Sequence, residues 1–247
     1  MAYDPQFFGI RQEGSARSAS RVVPEVLRIL SPRSVVDVGC GTATWLAEFQ
    51  ELGITDVIGI DGDWVDKGML KIEPRLFIAR DLRRPFAIER TFDLATSLEV
   101  AEHLPAERAE QFVGELVRLA PVVLFSAAVP FQGGADHINE QWPDYWVRIF
   151  AQYGYSALDC LRSRIWNDSE IEWWYRQNLV LYARRDAIEA NQRLQRMAND
   201  WPSIVLPLIH PDLYLRKLVE HSGMGMLLPL RLLSRAVRTT LRTKLGL

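Results

Sequence analysis

The sequence predicts an α/β protein built on a doubly wound, mostly parallel sheet of seven strands, for two reasons. Short β-branched runs alternate with segments of helical periodicity through the middle of the chain, which is typical of parallel strands joined by helices. Two further strand candidates then flank a tryptophan-rich connection. The seven candidates are SVVDV (34–38), DVIGI (56–60), LFIAR (76–80), FDLATS (92–97), VVLFSAA (122–128), YSALDCL (155–161) and NLVLYAR (178–184).

Helical periodicity predicts the elements that surround this sheet. Helices are expected over residues 17–30, 43–52, 106–120 and 186–200. Three prolines between residues 201 and 211 predict a loop or an extended arm there. The predicted parts of the chain are an N-terminal lid and helix (1–30), a central domain (31–185) and a C-terminal helical extension (186–247).

The end of the chain, PLRLLSRAVRTTLRTKLGL (229–247), predicts a basic amphipathic helix. Leu230, Val237 and Leu241 fall on one face. The arginines of the opposite stripe are Arg231, Arg235, Arg238 and Arg242. We expect this helix to pack on its own domain or on a second subunit, and contact with an anionic membrane surface is the alternative.

Composition and charge exclude several classes of protein. The net charge of −2 lacks the basic excess that is typical of nucleic-acid-binding proteins. Two cysteines, Cys40 and Cys160, form neither a disulfide framework nor a zinc knuckle. The start of the sequence lacks a secretory signal, and no uncharged apolar run reaches the roughly 18 residues that span a bilayer. These features predict a cytoplasmic protein, with peripheral contact at the inner membrane face as an option for the basic tail.

Acidic residues lie at the ends of three successive strand candidates, and a glycine turn follows the first strand. Gly39 and Gly41 allow a tight turn and the close approach of a ligand. Asp37 is placed to meet an ammonium group or to fix the loop. Asp61, at the tip of the second strand, is placed to accept hydrogen bonds from two ribose hydroxyls. Because Asp81 ends the third strand within reach of an adenine amino group, the three positions together favour an adenosine ligand.

These segments resemble the motifs of class I S-adenosylmethionine-dependent methyltransferases. The matching segments, in order, are VVDVGCGTATW (35–45), IGIDG (58–62), RDL (80–82) and FDLATSLEVAEHLP (92–105). The resemblance covers about residues 30–185. It implies a Rossmann-like seven-stranded sheet whose last strand is antiparallel, and S-adenosyl-L-methionine as the cofactor.

The same resemblance assigns roles to the cofactor-binding residues. Gly39 and Gly41 would line the methionine portion of the cofactor, and Asp61 would hold the ribose. Asp81 and Leu82 would frame the adenine. The full predicted set is Asp37, Gly39, Gly41, Thr42, Asp61, Gly62, Asp81, Leu82 and Leu98.

Two further features bear on this assignment. Ala43 replaces the third glycine of a dinucleotide-binding fingerprint. An NAD-dependent dehydrogenase is the competing interpretation of the glycine turn alone, and it is disfavoured because the chain offers no separate substrate domain.

By analogy with the methyltransferase superfamily, YDPQFF (3–8) is expected to fold over the cofactor as a lid, with core packing as the alternative.

Two glutamates and a histidine, Glu99, Glu102 and His103, follow the fourth strand directly. The segment FQGGADHINEQWPDYW (131–146) follows the fifth strand, and its glycines allow a loop that brings His137 to the same edge of the sheet. Two carboxylates and two imidazoles form a ligand set for Mg²⁺ or Mn²⁺, with Zn²⁺ as a further candidate. A divalent ion would lower the pKa of an acceptor hydroxyl and orient its oxygen toward the methyl group.

This arrangement is similar to that of small-RNA terminal 2′-O-methyltransferases, in which Glu-x-x-Glu-His and a later His bind a divalent ion. The ubiquinone-pathway O-methyltransferases have a similar Glu-x-x-Glu-His. The resemblance implies that the metal ligands are Glu99, Glu102, His103 and His137. The alternative is that the glutamates cap a helix, the histidines are structural and no metal binds.

The acceptor is expected to be a saccharide, because a metal that chelates adjacent oxygens favours a vicinal diol. The segment FSAAVPFQGGADHINEQWPDYW (125–146) also resembles bacterial methyltransferases associated with surface-polysaccharide or glycan assembly, which implies a sugar or a lipid-linked glycan as substrate. RNA is disfavoured because residues 1–220 carry a net charge of −7 once the +5 of the tail is set apart. Aromatic candidates for stacking on a sugar, with core packing as the alternative, are Trp142, Tyr145, Trp146, Trp173, Trp174 and Tyr175.

The sequence therefore predicts a metal-assisted O-methyltransferase of a saccharide hydroxyl, with Glu102, His103 and His137 as catalytic residues. One alternative is a metal-independent methyltransferase of a small metabolite, in which His103 or His137 acts as the general base. A second alternative is a scaffold protein that binds the cofactor without catalysis.

Overall fold

The computed structural model describes residues 5–200 and 205–222 of the chain. Its strands are β1 Ser34–Val38, β2 Asp56–Asp61, β3 Phe77–Ala79, β4 Leu94–Leu98, β5 Val122–Ser126, β6 Tyr155–Leu158 and β7 Val180–Arg184. Within the described residues these seven strands form one sheet in the order β3-β2-β1-β4-β5-β7-β6. The predicted seven-stranded α/β fold is confirmed.

Helices connect the strands and extend the fold at both ends. They are α1 Pro5–Ile29, α2 Thr44–Glu51, α3 Ala109–Leu119, α4 Pro143–Gln152, α5 Arg162–Ile165, α6 Trp173–Asn178, α7 Arg185–Ala190, α8 Gln192–Asp200 and α9 Pro211–Ser222. The helix expected over 186–200 is divided at Asn191, whose backbone is extended. Its side-chain oxygen accepts hydrogen bonds from the amides of Arg193 (2.9 Å) and Leu194 (3.3 Å), so Asn191 ends one helix and caps the next.

Strand direction matches the predicted topology. All neighbouring strands from β3 to β5 pair in parallel, and β7 is antiparallel to both β5 and β6. Every residue of β4 and β5 is buried, as expected for central strands that are covered by helices on both faces. The β-branched and apolar runs in the sequence therefore belong to a sheet with no solvent-exposed face at its centre.

Helices pack on both faces of the sheet and form two apolar layers. One layer joins α1 and α2 to the sheet and includes the buried residues Val22, Val26, Leu46 and Phe49. The other joins α3 and α4 to the opposite face and includes Phe112, Leu116, Ile149 and Phe150. Since α1 contributes several fully buried residues to the first layer, it is part of the core as well as the start of the domain.

The strand order reverses between β1 and β4. The chain proceeds outward from β1 to β2 and β3, then returns to place β4 on the other side of β1. In open α/β sheets, ligands bind beyond the carboxyl ends of the strands at such a reversal. The predicted cofactor and metal residues follow the strands at this edge.

Arg162 is a fully buried arginine that ties three segments together. Its guanidinium pairs with Asp159, and it also donates to the carbonyl oxygens of Gln177 (3.2 Å) and Leu206 (2.9 Å). These bonds satisfy the buried charge with a carboxylate and two carbonyl groups. They connect the end of α6 with the segment that follows α8.

The chain divides into two compact units, Met1–Leu208 and Ile209–Leu247. Residues 186–200, predicted as part of the extension, belong to the first unit, and the Arg193 side chain there donates to the carbonyl of Arg28 (3.0 Å). In the second unit, α9 carries ion pairs of its own. These join Glu220 to Arg216 (2.7 Å) and Lys217 (2.6 Å).

Three sequence-based predictions meet the limits of the described residues. The basic helix over 229–247 lies outside them, as do residues 3 and 4 of the predicted lid. The arm expected over 201–211 is described from Val205, and it is non-helical until α9 begins at Pro211. Within the two described ranges, no helix combines the length and apolar character needed to cross a bilayer.

Candidate active site

The turn after β1 has a left-handed backbone at Gly39, Gly41 and Ala43, where φ is +85°, +53° and +61°. The amide of Gly39 donates to the carbonyl of Ile60 (2.7 Å), which fixes the turn against the end of β2. A Cβ at Gly39 would lie 2.3 Å from Cγ2 of Val100, whereas no described atom lies within 4 Å of a Cβ at Gly41. Space for a ligand therefore remains beside Gly41.

These two glycines support a matched prediction. Gly41→Ala is expected to cost about 1–2 kcal/mol of stability, because the left-handed conformation is unfavourable for alanine. Gly39→Ala is expected to cost roughly 1–3 kcal/mol more, because its methyl group also overpacks against Val100. Urea unfolding of both variants measures the difference, and equal losses would contradict the packing assigned to Gly39.

The carboxylate of Asp61 closes the same turn. Its Oδ2 accepts the amide of Gly41 (2.7 Å) and its Oδ1 accepts the amide of Gly62 (2.6 Å). Burial raises the pKa of Asp61, and the two amide bonds lower it. Thr42 follows Gly41, and its carbonyl accepts the amide of Lys71 (2.9 Å). Since neutral donors hold Asp61, its oxygens keep the capacity to accept hydrogen bonds from hydroxyl groups of a ligand.

Asp37 is a buried carboxyl near the end of β1. Its Oδ1 accepts a hydrogen bond from Oγ1 of Thr96 on the neighbouring strand β4 (2.6 Å). Burial, opposed by the bond from Thr96 and reinforced by the charge of Asp61, raises the pKa of Asp37 to about 7. A cationic group of a ligand beside Asp37 would favour its ionised form.

Asp81, Leu82 and Leu98 lie at the ends of β3 and β4. Arg83 donates to both carboxylate oxygens of Asp81, from Nε (2.8 Å) and Nη2 (3.1 Å), and these bonds lower the pKa of Asp81. The same guanidinium lies 5.6 Å from the ring centroid of Trp64, which is largely exposed. Leu82 and Leu98 are buried. Asp81 thus lies at the predicted position, with its carboxylate paired to an arginine.

Glu99 follows β4 directly, with φ of +57°. Its amide donates to the carbonyl of Ser126 (3.0 Å), which extends the pairing of β4 with β5 by one residue. Its carboxylate accepts hydrogen bonds from Nε2 of Gln132 (2.8 Å) and Nδ2 of Asn178 (3.1 Å). Burial raises the pKa of Glu99, and its hydrogen bonds and the nearby His137 lower it.

Glu102 is fully buried, with an exposed fraction of 0%. Among the described residues, no donor reaches either of its carboxylate oxygens with normal hydrogen-bond geometry. Burial raises the pKa of Glu102 well above the usual range, and the charge of Glu99 raises it further. The backbone amides of Glu102 and Ala128 lower this pKa, although neither makes a hydrogen bond of normal geometry to the carboxylate. A buried carboxylate in this state costs free energy, so a ligand that pairs with it is strongly favoured.

Glu102, His103 and His137 form a compact cluster in which the potential ligand atoms all lie within 4.8 Å of one another. The two imidazole rings meet edge to face, with centroids 4.8 Å apart. The amides of Ile138 and Asn139 donate to the carbonyl of Glu102 (2.9 and 3.0 Å). These bonds anchor the loop that carries His137 on the turn that carries the other two residues.

Each imidazole is oriented by an oxygen at Nδ1. In His137, Nδ1 lies 2.9 Å from Oε1 of Glu140, and in His103 it lies 3.3 Å from the carbonyl of Asp136. An acceptor at Nδ1 favours the tautomer in which Nε2 is the acceptor and metal-binding atom. A Cβ at Gly134 would lie 2.2 Å from Nε2 of His137, so this position of the ring requires glycine there.

A comparison with protein families identifies the domain that carries this site. The model of a family described as methyltransferase domain matches residues 11–147, which is more than half of the chain. The chain belongs to the methyltransferase domain family. With its fold, this makes it a class I S-adenosylmethionine-dependent methyltransferase. No curated protein sequence matches the chain.

Solved structures share the fold of this methyltransferase at low sequence identity. The methyltransferase domain of bacterial CtHen1-C is 19% identical with a TM-score of 0.50, and the alignment covers 68% of this chain and 97% of that one. Magnesium protoporphyrin IX methyltransferase (ChlM) from Synechocystis PCC 6803, with bound SAH, is 17% identical with a TM-score of 0.54 over 74% and 89% of the two chains. CalS10, an amino pentose methyltransferase from Micromonospora echinaspora, is 15% identical with a TM-score of 0.52 over 74% and 98%.

The structure brings together three of the four predicted metal ligands of the methyltransferase, namely Glu102, His103 and His137. Glu99 lies next to this cluster, and its carboxylate bonds to the amides of two other side chains. The predicted cofactor-binding residues follow or end strands β1 to β4 at the same edge of the sheet. The two predicted sites are therefore adjacent.

The aromatic candidates separate by burial. Trp146 and Tyr175 are buried in the core, where Trp146 packs against Phe125 (centroids 5.1 Å apart). Trp142 is 39% exposed, and Phe131, which the sequence did not single out, is 81% exposed. The exposed aromatic side chains of the loop between β5 and α4 are thus Phe131 and Trp142.

Sequence reasoning missed several residues that hold the cluster. Glu140 was detectable from its spacing, because it lies three positions after His137. Gln132 and Asn178 carried no such signal. Among the described residues, the non-glycine residues with positive φ are Ala43, Glu99, Phe131 and Asp136, and all belong to the loops of the site. Such backbone strain concentrates at functional sites.

Proposed function

We propose that this methyltransferase is a divalent-metal-assisted O-methyltransferase that acts on a hydroxyl group of a saccharide. The observation that carries the proposal is the state of Glu102. This fully buried carboxylate has neither oxygen engaged by a protein donor at normal geometry, and its nearest potential co-ligands are His103 and His137. A divalent cation supplies the positive charge that such a carboxylate lacks.

The donor set supports a particular choice of ion. Two carboxylates and two imidazoles mix oxygen and nitrogen ligands. Mg²⁺ favours oxygen ligands in a strict octahedron, whereas imidazole suits Zn²⁺ and other transition ions. Mn²⁺ is a transition ion that also accepts carboxylate and water ligands. We therefore place Mn²⁺ and Zn²⁺ ahead of Mg²⁺. Bound in this cluster, a divalent ion would lower the pKa of an acceptor hydroxyl and hold its oxygen near the methyl group.

S-adenosylmethionine would supply an electrophilic methyl group on a sulfonium sulfur. Asp61 would hold the ribose hydroxyls, since its oxygens are fixed by two backbone amides. Asp37 would lie near the ammonium group, and the open space beside Gly41 would admit the methionine portion. Asp81 and Leu82 would border the adenine. These residues hold and orient the cofactor at the strand ends beside the Glu/His cluster.

A saccharide acceptor fits the surface next to the cluster. Phe131 and Trp142 lie exposed on the loop that supplies His137, and aromatic side chains stack on sugar faces. The amino pentose methyltransferase CalS10 shares the fold, so the fold accommodates a sugar substrate. The acidic charge of residues 1–220 supports a sugar or a lipid-linked glycan over RNA.

Methyl transfer from radiolabelled S-adenosylmethionine tests the proposal. The acceptors are monosaccharide glycosides with a vicinal cis-diol, each paired with its deoxy analogue, assayed in Mn²⁺ and in EDTA. We expect transfer only to the diols and only with metal. His137→Ala is expected to lower kcat/KM by roughly 100-fold or more, because it removes a metal ligand. Glu107→Ala, at an exposed glutamate in the next turn of the chain, is the control and is expected to match wild type.

Three outcomes would redirect the assignment. Transfer that persists in EDTA would overturn the metal role and leave His103 or His137 as a general base. Equal transfer to diols and deoxy analogues would overturn chelation of the acceptor. Binding of the cofactor with no transfer to any saccharide would overturn the acceptor class and favour a different substrate or a scaffold role.

A further inference from the structure

Three buried amide side chains form a hydrogen-bonded cluster beside the carboxylate of Glu99, and two of them donate to it. They belong to Gln132, Gln177 and Asn178, which are between 1% and 6% exposed. Gln132 lies in the loop between β5 and α4, and the other two residues end α6 just before β7. Two separate parts of the chain therefore contribute neutral polar groups to one buried position.

The hydrogen bonds of these amides assign a direction to each group. Gln132 donates to Glu99 Oε2 (2.8 Å), and Asn178 donates to Glu99 Oε1 (3.1 Å). The side-chain oxygen of Gln132 accepts from Nδ2 of Asn178 (2.9 Å) and from the amide of Val129 (3.3 Å). Gln177 donates to the side-chain oxygen of Asn178 (3.0 Å). The amide orientations are thus mutually fixed, and flipping any of them would oppose two acceptors or two donors.

Neutral donors have a specific consequence for a buried carboxylate. An arginine or lysine at this position would neutralise Glu99 and compete with a cation for it. Amide donors instead stabilise the ionised form and leave its negative charge uncompensated. Each oxygen receives one amide N–H, and the Ser126 hydroxyl also helps to lower the pKa of Glu99. All three donors are neutral, and two carboxylate oxygens with about four lone-pair sites keep capacity for a further partner.

The position of that partner is set by the neighbouring groups. Glu99 precedes Glu102 by three positions on the same turn, and Gln132, which donates to Glu99, lies on the loop that carries His137 and bonds to the carbonyl of Glu102. The backbone of Glu99 is held in a left-handed conformation by pairing with Ser126, so the side chain leaves the chain in one fixed direction. The uncompensated charge of Glu99 therefore borders the Glu/His cluster.

We propose that Gln132 and Asn178 are positioning residues that hold the Glu99 carboxylate as the fourth ligand of the divalent-metal site, with Gln177 fixing the orientation of Asn178. This inference rests on the metal site of the proposed function. It assigns to the loop after β5 a second role beside supplying His137. It also makes the end of α6 part of the metal site, although none of the proposed ligands lies on α6.

A purely structural role for the amide cluster makes different predictions. If the amides only stabilise the fold, their loss lowers stability and leaves Mn²⁺ affinity unchanged in the protein that remains folded. If they act through Glu99, their loss weakens Mn²⁺ binding, and the effect disappears once Glu99 no longer carries a carboxylate. A double-mutant cycle separates the two cases.

The experiment measures Mn²⁺ binding to the full chain by the electron paramagnetic resonance signal of free Mn²⁺, which stays quantitative when binding is weak. The variants are Gln132→Met and Asn178→Leu, each alone and combined with Glu99→Gln. Gln141→Met is the matched control, because Gln141 lies on the same loop and its amide donates to Asn139 rather than to Glu99. Binding of S-adenosylhomocysteine and a cooperative unfolding transition identify the variants that fold.

We expect Gln132→Met and Asn178→Leu each to weaken Mn²⁺ binding by roughly 10–100-fold, as for other groups that orient metal ligands. In the Glu99→Gln background we expect neither substitution to weaken it further, and Gln141→Met should bind Mn²⁺ as wild type does. Two variants from different elements keep the test decisive if one of them does not fold.

The outcomes distinguish this inference from the proposed function. Failure of the wild type to bind Mn²⁺, and also Zn²⁺ by calorimetry, would overturn both. Wild-type binding that is lost in Glu102→Met but retained in Gln132→Met and Asn178→Leu would overturn the positioning role alone. The same loss of affinity in the presence and absence of the Glu99 carboxylate would also overturn it, because the amides would then act independently of Glu99.

Discussion

Glu102→Met is expected to yield a methyltransferase that no longer binds Mn²⁺ and that unfolds at a higher urea concentration than the metal-free wild type. The side chains are similar in size, so the substitution leaves no large cavity. It removes a fully buried carboxylate whose oxygens lack protein donors at normal geometry. We expect the free energy of unfolding to rise by roughly 1–3 kcal/mol, the usual cost of a buried polar group without a partner.

The opposite signs make this prediction specific. If Glu102 capped a helix, its substitution would lower the stability of the protein. If Glu102 is a metal ligand, its substitution raises the stability of the metal-free protein and abolishes its function. Urea unfolding in EDTA and Mn²⁺ titration measure the two effects, and Glu107→Met at an exposed site is the control. A less stable Glu102→Met protein would show that the Glu102 carboxylate stabilises the metal-free fold.

The metal-free, cofactor-free protein is expected to lose stability as the pH rises from 5 to 7.5, and Asp37 is expected to be a main cause. Burial raises the pKa of Asp37 to about 7, so the folded protein holds this proton over a range in which the unfolded chain has released it. A carboxyl with a raised folded pKa stabilises the native state at low pH, and this contribution is lost as the pH rises toward the folded pKa. The expected loss from this group is about 3 kcal/mol between pH 5 and 7.5, at 1.36 kcal/mol per pH unit below its folded pKa.

Asp37→Asn tests the assignment, because asparagine keeps the oxygen that accepts from Thr96 and cannot ionise. Urea unfolding at several pH values should show a shallower slope for Asp37→Asn than for the wild type. Some slope should remain, since burial also raises the pKa of Asp61, Glu99 and Glu102. Asp63→Asn, at an exposed aspartate after β2, is expected to keep the wild-type slope. Identical slopes for Asp37→Asn and wild type would show that Asp37 is ionised in the folded protein throughout this range.

The sheet was predictable because its central strands are short apolar runs whose ends are recognisable in the sequence. The segment SVVDV matches β1 residue for residue, and the acid at the tip of β2 is Asp61 as expected. Both signals are local, since they depend on residues within about ten positions of one another. The division at Asn191 of the helix predicted over 186–200 was not visible in the periodicity, because a side-chain cap that starts a new helix leaves the helical pattern intact.

The candidate site was predictable only in part. Glu102 and His103 are neighbours in sequence, and the two glycines shortly before His137 predict the loop that carries it. Asn178, an amide partner of Glu99, lies 79 positions away, and the sequence marked it only as the first residue of the strand candidate NLVLYAR (178–184). The burial of the glutamates was not predictable either, since no sequence pattern distinguishes the fully buried Glu102 from the exposed Glu107.

The two bonds from the His137 loop to the carbonyl of Glu102 have a kinetic consequence. Because the amides of Ile138 and Asn139 join residues that are more than thirty positions apart, we expect protein hydrogen bonds alone to hold the ligand-bearing loops together. The conformational entropy of ordering them is lost during folding rather than during metal capture. Metal uptake by this protein should therefore follow simple second-order kinetics, without a slow ordering phase.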